Sequence, residues 1–438
     1  MRYTLSLLLI LALAACQPQS KPAAAEKTPA LPAADADNGA IKLPEGFGAV
    51  VVAQVAPRTR HIVVNSNGDI YVKLEELKDG KGIFALRDQD GDGKAEIIEG
   101  FGDYPGTGIE IHGGYLYASS DTSIHRYKLA DNQLLPADLK GEKIVGGFIN
   151  QEGYHASKTF TFDQAGNMYV NVGAPSNTCQ EKDRVPGSKG YDPCPQLERA
   201  GGIWRFKADV AGQTQVGDGV RYATGIRNAV AIQWNQGVSS LYALQHGRDQ
   251  LHDMLPKSYS DSANAVLPSE EFLQISENDD FGWPYCHYNH LVGKKLLNPE
   301  YGGDGQTAGR CEGIKPPIVA FPGHMAPNDL LFYTGDLFPE KYKNGAFIAF
   351  HGSWNRAPLP QGGYMVAFVP MKDGKPNGEW EIFAEGFPGI PEVQSPGDAH
   401  YRPVGLAQGP DGSIYVSDSQ QGRIWRIGYY GEKKVASR

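Results

Sequence analysis

A turn carrying Gly, followed at once by a short run of large apolar residues, recurs six times along the chain. It reads Asn67-Gly68-Asp69-Ile70-Tyr71-Val72, then Gly113-Gly114-Tyr115-Leu116-Tyr117-Ala118, then Ala165-Gly166-Asn167-Met168-Tyr169-Val170. It continues as Gly237-Val238-Ser239-Ser240-Leu241-Tyr242-Ala243, Asn344-Gly345-Ala346-Phe347-Ile348-Ala349 and Asp411-Gly412-Ser413-Ile414-Tyr415-Val416. Each copy predicts a hairpin that enters a central strand. The strand that follows is visible as Ile124 to Tyr127, Gly202-Ile203-Trp204-Arg205-Phe206 and Arg423-Ile424-Trp425-Arg426-Ile427. Units of roughly 65 residues suit four strands with loops, and six of them set radially leave few exposed sheet edges. The fold expected is all-β, a six-bladed β-propeller; a pair of β-sandwiches is the alternative. The widest gap, Tyr242 to Phe347, requires a long insertion, and Ala49 to Val55 is expected to join the last blade and close the ring. A propeller gathers its ligands at one end of its axis, so functional residues should be scattered along the chain.

The N-terminus follows a different pattern. Arg2 precedes an apolar run, Leu5 to Leu13, that is too short for an ordinary membrane span and ends in Leu13-Ala14-Ala15-Cys16. Small residues before a Cys resemble the bacterial lipobox, in which the Cys is lipidated and becomes the mature N-terminus. Residues 1–15 are therefore expected to form a signal peptide, Cys16 a lipid anchor to the membrane, and 16–40, rich in Ala and Pro, a flexible tether. The folded body is expected over 41–438, in the cell envelope and facing the periplasm. The four other cysteines agree with an oxidising compartment. Local pairing, Cys179 with Cys194 and Cys286 with Cys311, is expected because both stretches are long Gly/Pro-rich loops. A zinc site is the alternative, and no Cys-x-x-Cys spacing favours it.

Charge narrows the functional classes. The 438 residues carry 41 Lys and Arg against 50 Asp and Glu, a formal net charge of −9. A nucleic-acid binder normally presents a basic face, so that class is set aside; a local basic pocket for an anionic ligand is not. The chain has no P-loop, no G-x-G-x-x-G after a strand, no H-E-x-x-H and no G-x-S-x-G. It also has no Cys-x-x-Cys-His for covalent haem, so redox chemistry here would need a separate electron acceptor.

One stretch reads as a calcium loop. Asp88-Gln89-Asp90-Gly91-Asp92-Gly93-Lys94-Ala95-Glu96-Ile97-Ile98-Glu99 matches D-x-D-x-D-G-x5-E, with oxygen ligands expected from Asp88, Asp90, Asp92 and Glu99. The preceding Ile83-Phe84-Ala85-Leu86-Arg87 looks like a strand, so the loop is expected on a strand-to-strand turn. A solvated acidic turn without metal is the alternative.

Five further segments form an ordered set. They are Tyr154-His155-Ala156-Ser157-Lys158-Thr159-Phe160-Thr161-Phe162-Asp163, Gly225-Ile226-Arg227-Asn228-Ala229, Gln245-His246-Gly247-Arg248-Asp249, Asn278-Asp279-Asp280-Phe281-Gly282-Trp283-Pro284 and His400-Tyr401-Arg402-Pro403-Val404. In this order the set resembles the soluble sugar dehydrogenases that depend on pyrroloquinoline quinone (PQQ), including the sorbosone and aldose branch. The resemblance covers most of residues 45 to 428, and it implies a six-bladed propeller, PQQ and calcium as cofactors, and a small sugar as substrate. It implies His155 as the base that takes the hydroxyl proton, Arg227 as the group that polarises the quinone oxygens, and Asn228 as a hydrogen-bonding partner of the cofactor. It also implies a calcium ion on the backbone carbonyls of Gly247 and Arg248. Arg248 stands where the family commonly has Pro, and its meeting a carboxylate directly is the alternative. Arg402 aligns with a carboxylate-binding Arg, Arg356 lies near the family's cofactor Lys, His400 stands where some members carry a second Arg, and His324 lies in a loop that approaches the cofactor. Charge matching to three carboxylates points separately to Lys158, Arg248, Arg356 and Arg402. Trp283 is expected to be structural, and no first-blade cofactor contact is identified in residues 61 to 115.

The reading that joins these features is a PQQ-dependent oxidoreductase of a sugar or related alcohol or aldehyde. It works by proton abstraction and hydride transfer to the quinone, and passes electrons to a separate acceptor. A calcium-dependent propeller hydrolase of the lactonase kind is a second reading, and a non-catalytic propeller that binds a glycan or a protein is a third.

Overall fold

Apolar runs flanked by Gly-containing turns become strands here, and the strands fall into six antiparallel sheets around one axis. The computed structural model describes residues 31–149 and 155–431. The expected signal peptide, Cys16 and the tether as far as residue 30 lie outside the described residues. Blade 1 comprises Thr59–Val64, Ile70–Lys78, Lys81–Arg87 and Ile97–Phe101; blade 2, Ile109–His112, Tyr115–Ser119, Ile124–Lys128 and Glu142–Gly146. Blade 3 comprises Phe160–Phe162, Asn167–Val172, Gly202–Lys207 and Val220–Thr224; blade 4, Ala231–Asn235, Ser240–Gln245, Glu270–Ile275 and Val319–Phe321. Blade 5 comprises Pro327–Phe332, Ala346–Phe350, Met365–Val369 and Glu381–Ala384. Blade 6 takes Pro403–Gln408, Ile414–Asp418 and Arg423–Tyr429 from the end of the chain and Phe47–Gln54 from its beginning, paired antiparallel from Phe47 opposite Tyr429 to Gln54 opposite Arg423. The fold is the expected six-bladed β-propeller, and all six repeat copies supply the second strand of a blade.

In blade 1, Tyr71, Ile83 and Ala85 pack against Leu116 and Tyr127 of blade 2, while Val72, Phe84 and Leu86 pack against Ala407 and Ile424 of blade 6. Five more such interfaces, counting that to blade 6, complete the ring, so the core is divided among the gaps between blades. Contacts begin ahead of Ile41, where the sequence suggested the body starts. Asp35 accepts from the Val51 amide, and the carbonyl of Gly39 accepts from Trp425 Nε1 at 3.0 Å. Gly39 lies in the left-handed region at φ 62°, hard against that indole, where a side chain would collide.

The first strands of all six blades line an axial tunnel of about 340 Å³ that carries His61, Glu110 and Asp329. Long loops project at the end of the ring where first strands begin and second strands finish. Two of them are stapled by disulfides in the expected pairing, Cys179–Cys194 and Cys286–Cys311. The long insertion is divided between 246–269 and 276–318, on either side of the third strand of blade 4.

Candidate functional site

The loops at that end enclose two adjoining cavities of about 420 and 470 Å³, which share His155, His246, Ala326 and Trp354 as a common wall. The residues arrive from separate blades. His155 precedes the first strand of blade 3, Arg227 precedes that of blade 4, and Gly247 and Asp249 follow the second strand of blade 4.

Asp249 is the hub of the first cavity. Its Oδ2 accepts from Arg227 Nη2 at 2.9 Å and Arg184 Nη2 at 2.8 Å, and its Oδ1 accepts from Asn355 Nδ2 at 2.6 Å. The side chain of Asn177 bonds the Asp249 main chain in both directions, at 2.9 and 3.1 Å. Burial alone would raise this carboxyl, but Arg227, His324 and Arg184 hold it well below the usual carboxylate range. One carboxylate thus fixes two guanidiniums from two loops. Arg227 is further held by Nη1 donating to the Gly247 carbonyl at 2.9 Å, and its buried Nε has no partner among the described residues.

His155 Nδ1 donates to the Ala174 carbonyl at 2.7 Å, which fixes the neutral tautomer with Nε2 as the basic nitrogen. Burial, then the charge of Arg227, push this imidazole down to about 3, so at neutral pH it is uncharged and keeps only the Nδ1 proton. His246 behaves alike: burial lowers it to about 4, and Nε2 donates to Pro327 O at 2.8 Å. Buried Glu270 is pushed up to about 7, against the pull of the Gly247 and Ala326 amides that it accepts.

The expected site residues divide. His155, Arg227, Gly247 and His324 line the first cavity, and His155 and Asn228 the second. His324 Nε2 lies 2.8 Å from Asn264 O and 3.0 Å from Leu267 O, which leaves Nδ1 3.9 Å from Asp249 Oδ1. The other cationic candidates differ from expectation. Arg248 turns away to a buried ion pair with Glu300, 2.6 Å long, and lines neither cavity. Its partner in the implied calcium pair, the Gly247 carbonyl, already accepts from a guanidinium. Lys158 is buried behind the wall, where Nζ donates to Ala156 O at 2.6 Å. Arg356 packs against Gly362, and its buried Nε has no partner among the described residues. Arg402 donates to the carbonyls of His351 and Gly352 at 3.1 and 2.8 Å, which steadies His351 in the second cavity from behind. His400 is exposed and packs on Gly389. Trp283 is buried and donates to Asn177 O, the structural role expected of it.

The acidic loop sits on the expected strand-to-strand turn, with one correction. Carboxylate oxygens of Asp88, Asp90, Asp92 and Glu96 lie within 4.8 Å of one another, whereas Glu99 is exposed in the following strand opposite Ala85. The strand begins at Ile97, so the chain is already extended at the twelfth position and the ninth closes the loop. Sequence reasoning missed Arg60, Asp121, Arg184, His246, Asp249 and Glu270. The segment Gln245 to Asp249 did mark two of them, because three polar or charged side chains there follow a buried strand at its open end.

A family model described as TrAA12-like matches residues 41–430. An uncharacterized protein of Borreliella burgdorferi is 31% identical over 210 residues, 47% of this chain and 48% of that protein. A pyrroloquinoline quinone-dependent pyranose dehydrogenase of Coprinopsis cinerea is 27% identical over 238 residues, 46% of this chain and 30% of that protein. The matches thus span about half of one curated relative and under a third of the other. The calcium structure of a Trichoderma reesei carbohydrate-active enzyme of family AA12 superposes with a TM-score of 0.72 at 18% identity, covering 89% of this chain and 97% of that one, which is a likeness of fold.

Proposed function

The chain belongs to the TrAA12-like family, and from that premise we propose that it is a PQQ-dependent oxidoreductase acting on a sugar or related alcohol or aldehyde. The observation that carries the proposal is a tautomer-fixed, neutral His155 on the wall of a cavity where Asp249 organises two guanidiniums. The donor set suits an anionic, planar ligand. Arg184 and Arg227 offer forked cations, and the orphaned Nε of Arg227 leaves donor capacity unused. Asn228 Oδ1 accepts from Asn171 Nδ2 at 3.0 Å, which turns its own amide donors toward the second cavity. When bound, PQQ supplies a two-electron acceptor that no amino-acid side chain offers.

The chain's own part is positioning and proton transfer. His155 accepts the substrate's hydroxyl proton at Nε2 while Nδ1 stays bonded to Ala174 O, and the imidazolium so formed gains strength from that bond. Arg227, immobilised from two sides, stabilises negative charge that develops beside it without reorganising. Calcium enters the reading at the Asp88, Asp90, Asp92 and Glu96 loop, as a brace outside the catalytic cavity. A lipid anchor at Cys16 in the cell envelope and a separate electron acceptor belong to the same reading.

The test is titration of PQQ with calcium into the purified chain, followed by dye reduction with a panel of aldoses. Heat on titration and quinone-dependent dye reduction support the proposal. Lactone hydrolysis without quinone would turn the reading to a hydrolase, and neither activity would leave a binding propeller.

A further inference from the structure

The part of the insertion that follows the third strand of blade 4, residues 276–318, lines neither cavity, yet it reaches the site through the core. Its hairpin pairs Cys286–Asn289 with Lys294–Leu297 within the loop closed by Cys286–Cys311, and it sends Lys295 inward. Lys295 Nζ donates to Glu271 Oε2 at 2.8 Å and to the Phe281 carbonyl. Glu271 Oε1 accepts from Gln245 Nε2 at 2.9 Å, between residues that stand opposite each other on the third and second strands of blade 4. Gln245 Oε1 in turn accepts from the main-chain N–H of Arg227 at 2.7 Å. The chain of bonds continues through two peptides. The Ala174 N–H donates to the Arg227 carbonyl at 2.7 Å, and the Ala174 carbonyl is the one that accepts from His155 Nδ1. Lys295, Glu271 and Gln245 are each at most 5% exposed. One amide orientation satisfies them. A main-chain N–H only donates and a carboxylate only accepts, so Gln245 must turn its carbonyl to Arg227 and its NH2 to Glu271. Lys295 supplies the counter-charge that a buried carboxylate requires.

We propose that Gln245 and Glu271, with Lys295 as counter-charge, are positioning residues that set the main chain of Arg227 and, one peptide further, the imidazole of His155, so that the stapled insertion governs the site without entering it. The inference deepens the reading above and rests on it for what Arg227 and His155 do. Its logic is exposed by an amide in place of the carboxylate. In Glu271→Gln, Lys295 claims the new carbonyl and the new NH2 faces Gln245. Gln245 must then invert, which sets its own NH2 against the Arg227 N–H, donor against donor. Removing the lysine as well, in Lys295→Met/Glu271→Gln, frees the new amide to turn, and the native orientation of Gln245 returns. Residues that only filled space would give two losses that add; this relay gives a loss that the second change repairs.

The test uses the full chain and two readouts: hydrogen exchange of the Arg227 amide, followed by NMR without cofactor, and calorimetric titration of PQQ with calcium. Glu271→Gln should speed the exchange by about tenfold, as expected for one lost hydrogen bond, and weaken PQQ by about the same factor. Lys295→Met/Glu271→Gln should bring both readouts back to within about threefold of the wild type. Gln245→Met removes the acceptor and leaves the ion pair; it should speed the exchange as Glu271→Gln does, and it decides the matter if the Glu271 variants do not fold. The inference is overturned if the Arg227 amide keeps its wild-type exchange rate in Glu271→Gln or Gln245→Met, or if the double variant is no better than Glu271→Gln. It is overturned too if the exchange responds while the affinity of a PQQ-binding chain does not. Failure of PQQ to bind the wild type would refute the cofactor reading, and the exchange rates would then decide the relay by themselves.

Discussion

In the proposed mechanism His155 works through one nitrogen, because Ala174 O occupies the proton on the other, and burial beside Arg227 keeps the ring neutral far below its ordinary 6.5. The base form therefore persists into acid, and the acid limb of kcat/KM is expected below about pH 6; a limb near 6.5 or above would assign the titration to another group. His155→Ala should lower kcat by about 10²- to 10⁴-fold and leave PQQ affinity nearly intact by calorimetry. Full turnover would remove it from the mechanism. Glu110 in the axial tunnel gives a prediction about stability. Burial first, and Asp329 in addition, push it up to about 8, although Thr161 opposes this. The folded state then binds more protons than the unfolded chain between about pH 4.5 and 8, so stability contributed at low pH is lost as pH rises through that window. Glu110→Gln should flatten this decline, measured as unfolding midpoints from pH 4.5 to 8. At this scale the sequence revealed residues inside recognisable segments, such as His155 and Arg227. Asp249's hub role and Arg184 were illegible because each depends on a partner tens of residues away, and Lys158 and Arg248 misled because a cation in sequence does not reveal which carbonyl or carboxylate it has already met.

Strands were legible because each second strand follows a Gly turn and is apolar on both faces, as in Ile70-Tyr71-Val72. Loop geometry was less so. The D-x-D-x-D-G pattern located the acidic turn, but which carboxylate joins the cluster at its close depends on where the next strand begins, and Glu96 stands there instead of Glu99 for that reason. The turn is tied to the ring: Ala95 N donates to Val52 O at 2.9 Å, on the strand that completes blade 6. Calcium there should brace that strand. Added calcium at about a hundred times its Kd should stabilise the fold by about 2.7 kcal/mol, and a chelator should lower Tm, with Asp90→Asn insensitive to both. Equal Tm with chelator and with calcium would dismiss the ion. Cys179–Cys194 closes the loop that carries Arg184 to Asp249, so this staple acts on the site as well as on the fold.

For the whole molecule, the economy of a ring is that every blade has two neighbours and stability is shared among six interfaces. Trp425 is fully buried between blades 5 and 6 and also holds Gly39 through its indole N–H. Trp425→Ala should cost about 3–5 kcal/mol in denaturant unfolding, and a loss under 1 kcal/mol would mean that this interface does not govern the ring. The count of six blades could be read from the sequence because the repeat is local. Which loop faces which across the axis could not, since that follows only once the circle is closed. The closure has a further effect on how the molecule comes into being. Phe47–Gln54 leaves the ribosome hundreds of residues before Arg423–Tyr429, so for an interval on the order of tens of seconds the nascent chain holds an orphan edge that only its own tail can cover. A truncated product lacking that tail keeps this edge open permanently, and quality control would meet it as a sticky fragment in place of a slightly shortened propeller.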